Sequence, residues 1–82
     1  MTKVVVYTKD WCSYCNAAKQ LLDKLGYKYE EVDVTGDLAL YQKMRELSGG
    51  KTTVPQIFMD EVSIGGYNEL VTQFREKRLP PP

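Results

Sequence analysis

The chain of 82 residues has only two cysteines, Cys12 and Cys15, and only Ser13 and Tyr14 separate them. Lys9 and Trp11 stand just ahead, and histidine is absent. Two thiols this close can exchange disulfides, bind metal as thiolates, or form a passive bridge. A bridge closing so small a loop would constrain the unfolded chain little. Two Cys without His fall short of the four N/S ligands of a zinc centre within one chain, although a site shared between two chains stays open. A lone CxxC near a strand-to-helix junction reads as redox-active.

The elements around the pair set its chemistry. "KVVVY" (3–7) is a β-branched run, apolar on both faces, as in a central buried strand. Beyond the cysteines, Ala18, Leu21, Leu22 and Leu25 recur with helical spacing, and Gly26 is the natural stop. This puts Cys12 in the first turn of a helix, where free backbone N–H groups and the positive helix end face its sulfur. Cys15 lies one turn on, within disulfide reach. With Lys9 nearby, Cys12 is expected as a thiolate, with a pKa of roughly 3.5–7.5 as at such sites. The gain in ionised fraction at pH 7 (~30-fold) nearly cancels the loss of intrinsic nucleophilicity (~40-fold). The net advantage is departure: a low-pKa sulfur leaves a mixed disulfide quickly. Cys15, deeper and less acidic, is the expected resolving thiol. Trp11 is expected to shield the edge of the site, and Tyr14 to be exposed beside it.

The rest of the chain supplies a frame. "YKYEEVDV" (27–34) reads as a second strand. "TGD" (35–37) turns and caps a helix over about 38–48, with Tyr41, Met44 and Leu47 or Ser48 on one side. "PQIFM" (55–59) and "VSI" (62–64) read as strands in a hairpin through Asp60-Glu61. A last helix over about 67–78 carries Leu70, Val71 and Phe74 inward, and "PPP" (80–82) reads as a solvated tail. The order is βαβαββα. The first two strands pair in parallel through a right-handed crossover. The expected fold is α/β, a four-stranded mixed sheet flanked by three helices, in a single domain over 1–79.

Composition removes several classes of function. Lys plus Arg equals Asp plus Glu, 11 each, which leaves no electrostatic footprint for nucleic acid or an anionic membrane. No apolar run approaches the roughly 20 residues of a membrane span. The first ten residues do not read as a signal peptide. Two cysteines are too few for a disulfide-stapled secreted domain, so a reducing compartment is expected: the cytoplasm, or an organelle matrix after loss of a transit peptide.

Three blocks, "YTKDWCSYC" (7–15), "TVPQIF" (53–58) and "IGGYNEL" (64–70), in this order and spacing resemble the glutaredoxins. The resemblance covers almost the whole chain and implies a thioredoxin fold with glutathione-dependent thiol–disulfide exchange. It makes Cys12 the nucleophile and Cys15 the resolving thiol. It implies a cis Val54–Pro55 bond, with Thr53, Val54 and Pro55 beside an extended peptide. It places the γ-glutamyl carboxylate at Gly66, Tyr67 and Asn68, where a helix start offers free N–H groups. It sets Lys9, Lys51 and Gln42 towards the glycyl end, with Tyr14 at the site. Its implied partners are glutathionylated and disulfide-bonded proteins, ribonucleotide reductase among them. The chain departs from the family pattern at Ser13, Tyr41, Tyr67 and Asn68, and Asn68 lacks the charge of the usual aspartate. The CSYC form leaves a second reading open: a [2Fe–2S] carrier, monomeric when cluster-free. In it Cys12 of two chains and two glutathiones supply four sulfurs. A third reading is a redoxin reduced by a thioredoxin-reductase-type flavoprotein.

Overall fold

The structure, a computed structural model, describes residues 1–82. In chain order it contains β1 (Val4–Thr8), α1 (Ser13–Lys24), β2 (Tyr29–Asp33), α2 (Leu38–Leu47), β3 (Gln56–Met59), β4 (Val62–Gly65) and α3 (Tyr67–Arg75). The sheet runs β2-β1-β3-β4. β1 pairs in parallel with β2 and antiparallel with β3, and β3 pairs antiparallel with β4. This is the expected mixed α/β architecture of the thioredoxin fold.

The unbroken apolar run of β1 follows from its central position. Val4 and Val6 face one core with Ala18, Leu22, Ile57, Met59, Ile64 and Leu70. Val5 and Tyr7 face the other, with Val34, Met44 and Phe58. Tyr7 and Phe58 meet edge to face, ring centroids 5.6 Å apart. The edge strand β2 needs only Tyr29 and Val32 against these cores, which explains its partial alternation. Tyr27, expected in that strand, lies before it but is buried. No helix is long and apolar enough to cross a membrane.

Local chemistry fixes the helix ends. Asp37 caps α2 as expected, its Oδ1 accepting from Leu40 N–H at 3.0 Å. On the inner side of α2 the structure selects Ser48 and leaves Leu47 exposed. The Ser48 hydroxyl donates to the Arg45 carbonyl and accepts from Lys51 N–H, tying down the Gly49–Gly50 loop.

Two expectations fail at the C-terminus. α3 stops at Arg75, and Phe74 is 45% exposed instead of buried. The chain reverses at Lys77, with φ +58°, and Leu79 packs against the core in its place. The proline tail is solvated at Pro81 and Pro82, which are exposed, but it is also tied down: Tyr27 hydroxyl donates to the Pro80 carbonyl and Thr2 hydroxyl to that of Pro81.

Candidate active site

β1 delivers the chain to the CxxC turn, and two bonds hold that turn against the β2–α2 loop. Val34 N–H donates to Thr8 carbonyl at 2.9 Å, and Asp10 N–H to the Thr35 hydroxyl at 2.8 Å. Cys12 is not in the first turn of α1 but is its N-cap, with extended backbone. Its Sγ accepts the Cys15 N–H at 3.1 Å, taking the place usually filled by a serine or aspartate oxygen. A helix end left uncapped by any other side chain thus presents its donor directly to sulfur.

The two thiols, both free, sit in different surroundings. Cys12 is partly exposed, whereas Cys15 is 1% exposed. The Cys15 thiol is pushed up to about 12, first by burial and then by its hydrogen bond with Cys12; a backbone bond from Lys9 pulls the other way. The asymmetry expected of an attacking and a resolving thiol is therefore built by depth in the helix. Trp11 does not shield the site. It stands wholly in solvent at φ +59°. Tyr14 is 61% exposed, as expected, and its ring lies 5.9 Å from that of Tyr67.

Across from Cys12, the Val54–Pro55 bond is cis, and the Val54 carbonyl lies 3.8 Å from Cys12 Sγ. Two grooves meet at this loop. One, of about 370 Å³, is lined by Tyr14, Thr53, Val54, Pro55, Gly66, Tyr67 and Asn68, and by Glu69. The other, of about 610 Å³, holds Lys9, Thr53 and Val54 with Tyr41, Thr52 and the start of α2. Eight of the ten expected binding residues thus line one groove or the other. Gln42 and Lys51 line neither and are exposed. Tyr41 of α2 does line the second groove, its hydroxyl donating to the Thr52 carbonyl at 3.2 Å.

Glu69 was not among the expected residues. Its carboxylate accepts the Gly66 N–H at 2.7 Å, so the first free donor before α3 is already used. The N–H groups of Tyr67 and Asn68 precede the first intrahelical bond, from Leu70 N–H to Gly66 carbonyl. The G-x-x-E spacing, half of a capping box, was the available signal.

The glutaredoxin family model matches residues 4–64, three-quarters of the chain and most of the site. The chain belongs to the glutaredoxin family. It is 44% identical over 78 residues to glutaredoxin 1 of Rickettsia prowazekii, covering 93% of this chain and 81% of that one. It is 44% identical over 70 residues to glutaredoxin 3 of Escherichia coli, covering 85% and 83%. The structure of a buckwheat glutaredoxin–glutathione complex superposes with a TM-score of 0.84 at 28% identity, covering 95% of this chain and 73% of that one. With its free CxxC thiols, this glutaredoxin has the role of a thiol–disulfide oxidoreductase.

Proposed function

We propose that this glutaredoxin uses glutathione, reducing glutathione mixed disulfides through Cys12 and protein disulfides through Cys12 and Cys15 together. One observation carries the reading: the capping sulfur stands beside the junction of two grooves, one ending at a helix N-terminus and the other at Lys9. Glutathione has a carboxylate at each end and its sulfur between them. Its γ-glutamyl carboxylate suits the Tyr67 and Asn68 N–H groups, and its glycyl carboxylate suits Lys9. Its backbone pairs with Val54 as an added strand.

In the first step the Cys12 thiolate attacks the glutathione sulfur of a mixed disulfide. A Cys12–glutathione disulfide forms, and the substrate thiolate leaves. A second glutathione thiolate then attacks that sulfur pair, releasing glutathione disulfide and restoring the Cys12 thiolate. With a protein disulfide, the bond formed is between Cys12 and the protein. Cys15 attacks Cys12 Sγ, its proton passes to the departing protein thiolate, and two glutathiones later reduce the Cys12–Cys15 bond. Once Cys12 is bound in a disulfide its negative charge is gone, which removes one cause of the raised Cys15 value. Partners follow from the chemistry: glutathionylated proteins, and enzymes such as ribonucleotide reductase that form a disulfide in turnover.

Cys12→Ser is expected to lower deglutathionylation by at least ~1000-fold. Cys15→Ser retains that reaction and loses most protein-disulfide reduction. Normal deglutathionylation by the Cys12→Ser protein would refute the assignment. Failure of glutathione with full activity under a flavoprotein reductase would favour the other reductant.

A [2Fe–2S] carrier is the second reading, supported by the contrast between an accessible Cys12 and a sealed Cys15. Each chain offers one reachable sulfur, so four ligands require two chains and two glutathiones. Anaerobic reconstitution with iron, sulfide and glutathione then gives a coloured dimer. A colourless monomer rejects this reading.

A further inference from the structure

Gln56 opens β3, opposite Tyr7 of β1, and is 1% exposed. Its Nε2 donates to the Thr53 carbonyl at 2.9 Å and to the Thr53 hydroxyl at 3.3 Å. Its Oε1 is buried and finds no partner within the protein. The orientation is forced, because a backbone carbonyl only accepts, so the amide nitrogen must face it. Burying an unpaired oxygen is unfavourable, and an apolar side chain of the same length would avoid that. Stability alone therefore gives no reason for an amide here.

The amide's bonds end on the loop that both grooves share. Thr53 and Val54 line the two grooves, and the Val54 carbonyl lies 3.8 Å from Cys12 Sγ. Tyr41 holds Thr52 from the exposed side through its carbonyl. Gln56 holds Thr53 from the buried side. Its own backbone is fixed to β1, the strand that leads into the CxxC turn. One side chain thus links the nucleophile's supporting strand to the segment opposite the nucleophile.

We propose that Gln56 is a positioning residue: it presets the Thr53–Val54 backbone for pairing with the substrate peptide, at a cost in core stability. The inference rests on the reading that this backbone pairs with a glutathionyl group. Gln56→Met keeps length and volume while removing both the clamp and the unpaired oxygen. The expected result is opposite signs. The denaturation midpoint stays level or rises, while KM for a glutathionylated peptide rises about three- to tenfold, the worth of one or two hydrogen bonds. The kcat changes by less than about twofold, as for lost binding and positioning before the chemical step. Amide hydrogen exchange quickens at Thr53 and Val54. An unchanged KM with unchanged exchange overturns the proposal. So does a variant that fails to fold, because the amide would then serve the core. If the wild-type protein does not turn over the peptide at all, the glutathione reading fails instead, and exchange at Thr53 and Val54 still decides the clamp.

Discussion

At the scale of the residue, the site depends on two sulfurs of one kind being made different by three positions of helix. Cys12 sits outside the first turn and receives a backbone N–H. Cys15 sits inside it and receives burial. Depth has a thermodynamic signature. The folded Cys15 thiol titrates near 12 against an ordinary value near 9, so its neutral form is the one that folding favours. Its contribution to stability is complete below about pH 9 and is lost as pH rises from there towards 12. The hydroxyls of Tyr7, Tyr27 and Tyr29, also raised by burial, act in the same direction. The measurement is therefore a difference: the stability gap between reduced wild type and Cys15→Ala narrows as urea midpoints are followed from pH 9 to 12. A gap that stays constant over that range would show that Cys15 is not sealed as described.

At the scale of the element, the critical junction is between β4 and α3. The β3–β4 register slips between Ile57 and Phe58, and Gly65 takes φ +113° there. A Cβ at Gly65 would lie 2.8 Å from Glu69 Cγ and 2.9 Å from its Cβ. Those atoms belong to the side chain that caps Gly66. Gly65→Ala is thus expected to cost about 2 kcal/mol or more, from backbone strain plus the displaced cap. It should also weaken glutathione binding, since the helix start moves with its cap. Chemical denaturation and binding calorimetry check the two parts, and a wild-type-like denaturation midpoint would contradict this account.

At the scale of the whole molecule, an 82-residue chain buries a thin core and recruits its last residues to complete it. Leu79 packs against the core and Pro80 bonds the Tyr27 hydroxyl, while Phe74, on α3, stays largely exposed. Removing residues 80–82 is expected to cost about 1 kcal/mol, or roughly 4–8 °C in Tm for a domain of this size. Activity should persist, since the tail lies against Leu25, Tyr27 and Phe74 and lines neither groove at Cys12. A truncated protein with unaltered Tm would show the contact to be inconsequential.

The sequence by itself determined the element order, the central place of β1 and the CxxC at the head of a helix. These are written in local patterns: a β-branched run, a leucine stripe, a capping aspartate. It also marked Val54, Pro55, Gly66 and Asn68 as site residues through blocks that resemble a family. Tertiary structure alone decided that Cys12 is the cap and that Ser48 turns inward in preference to Leu47. It decided too that Phe74 yields its place to Leu79, and that Gln42 and Lys51 stand outside the grooves while Tyr41 and Glu69 stand inside. The reason is physical. Periodicity states which face of an element is apolar, but which residue fills the last gap or reaches a groove depends on where neighbouring elements end, and those ends are fixed only when all of them pack together.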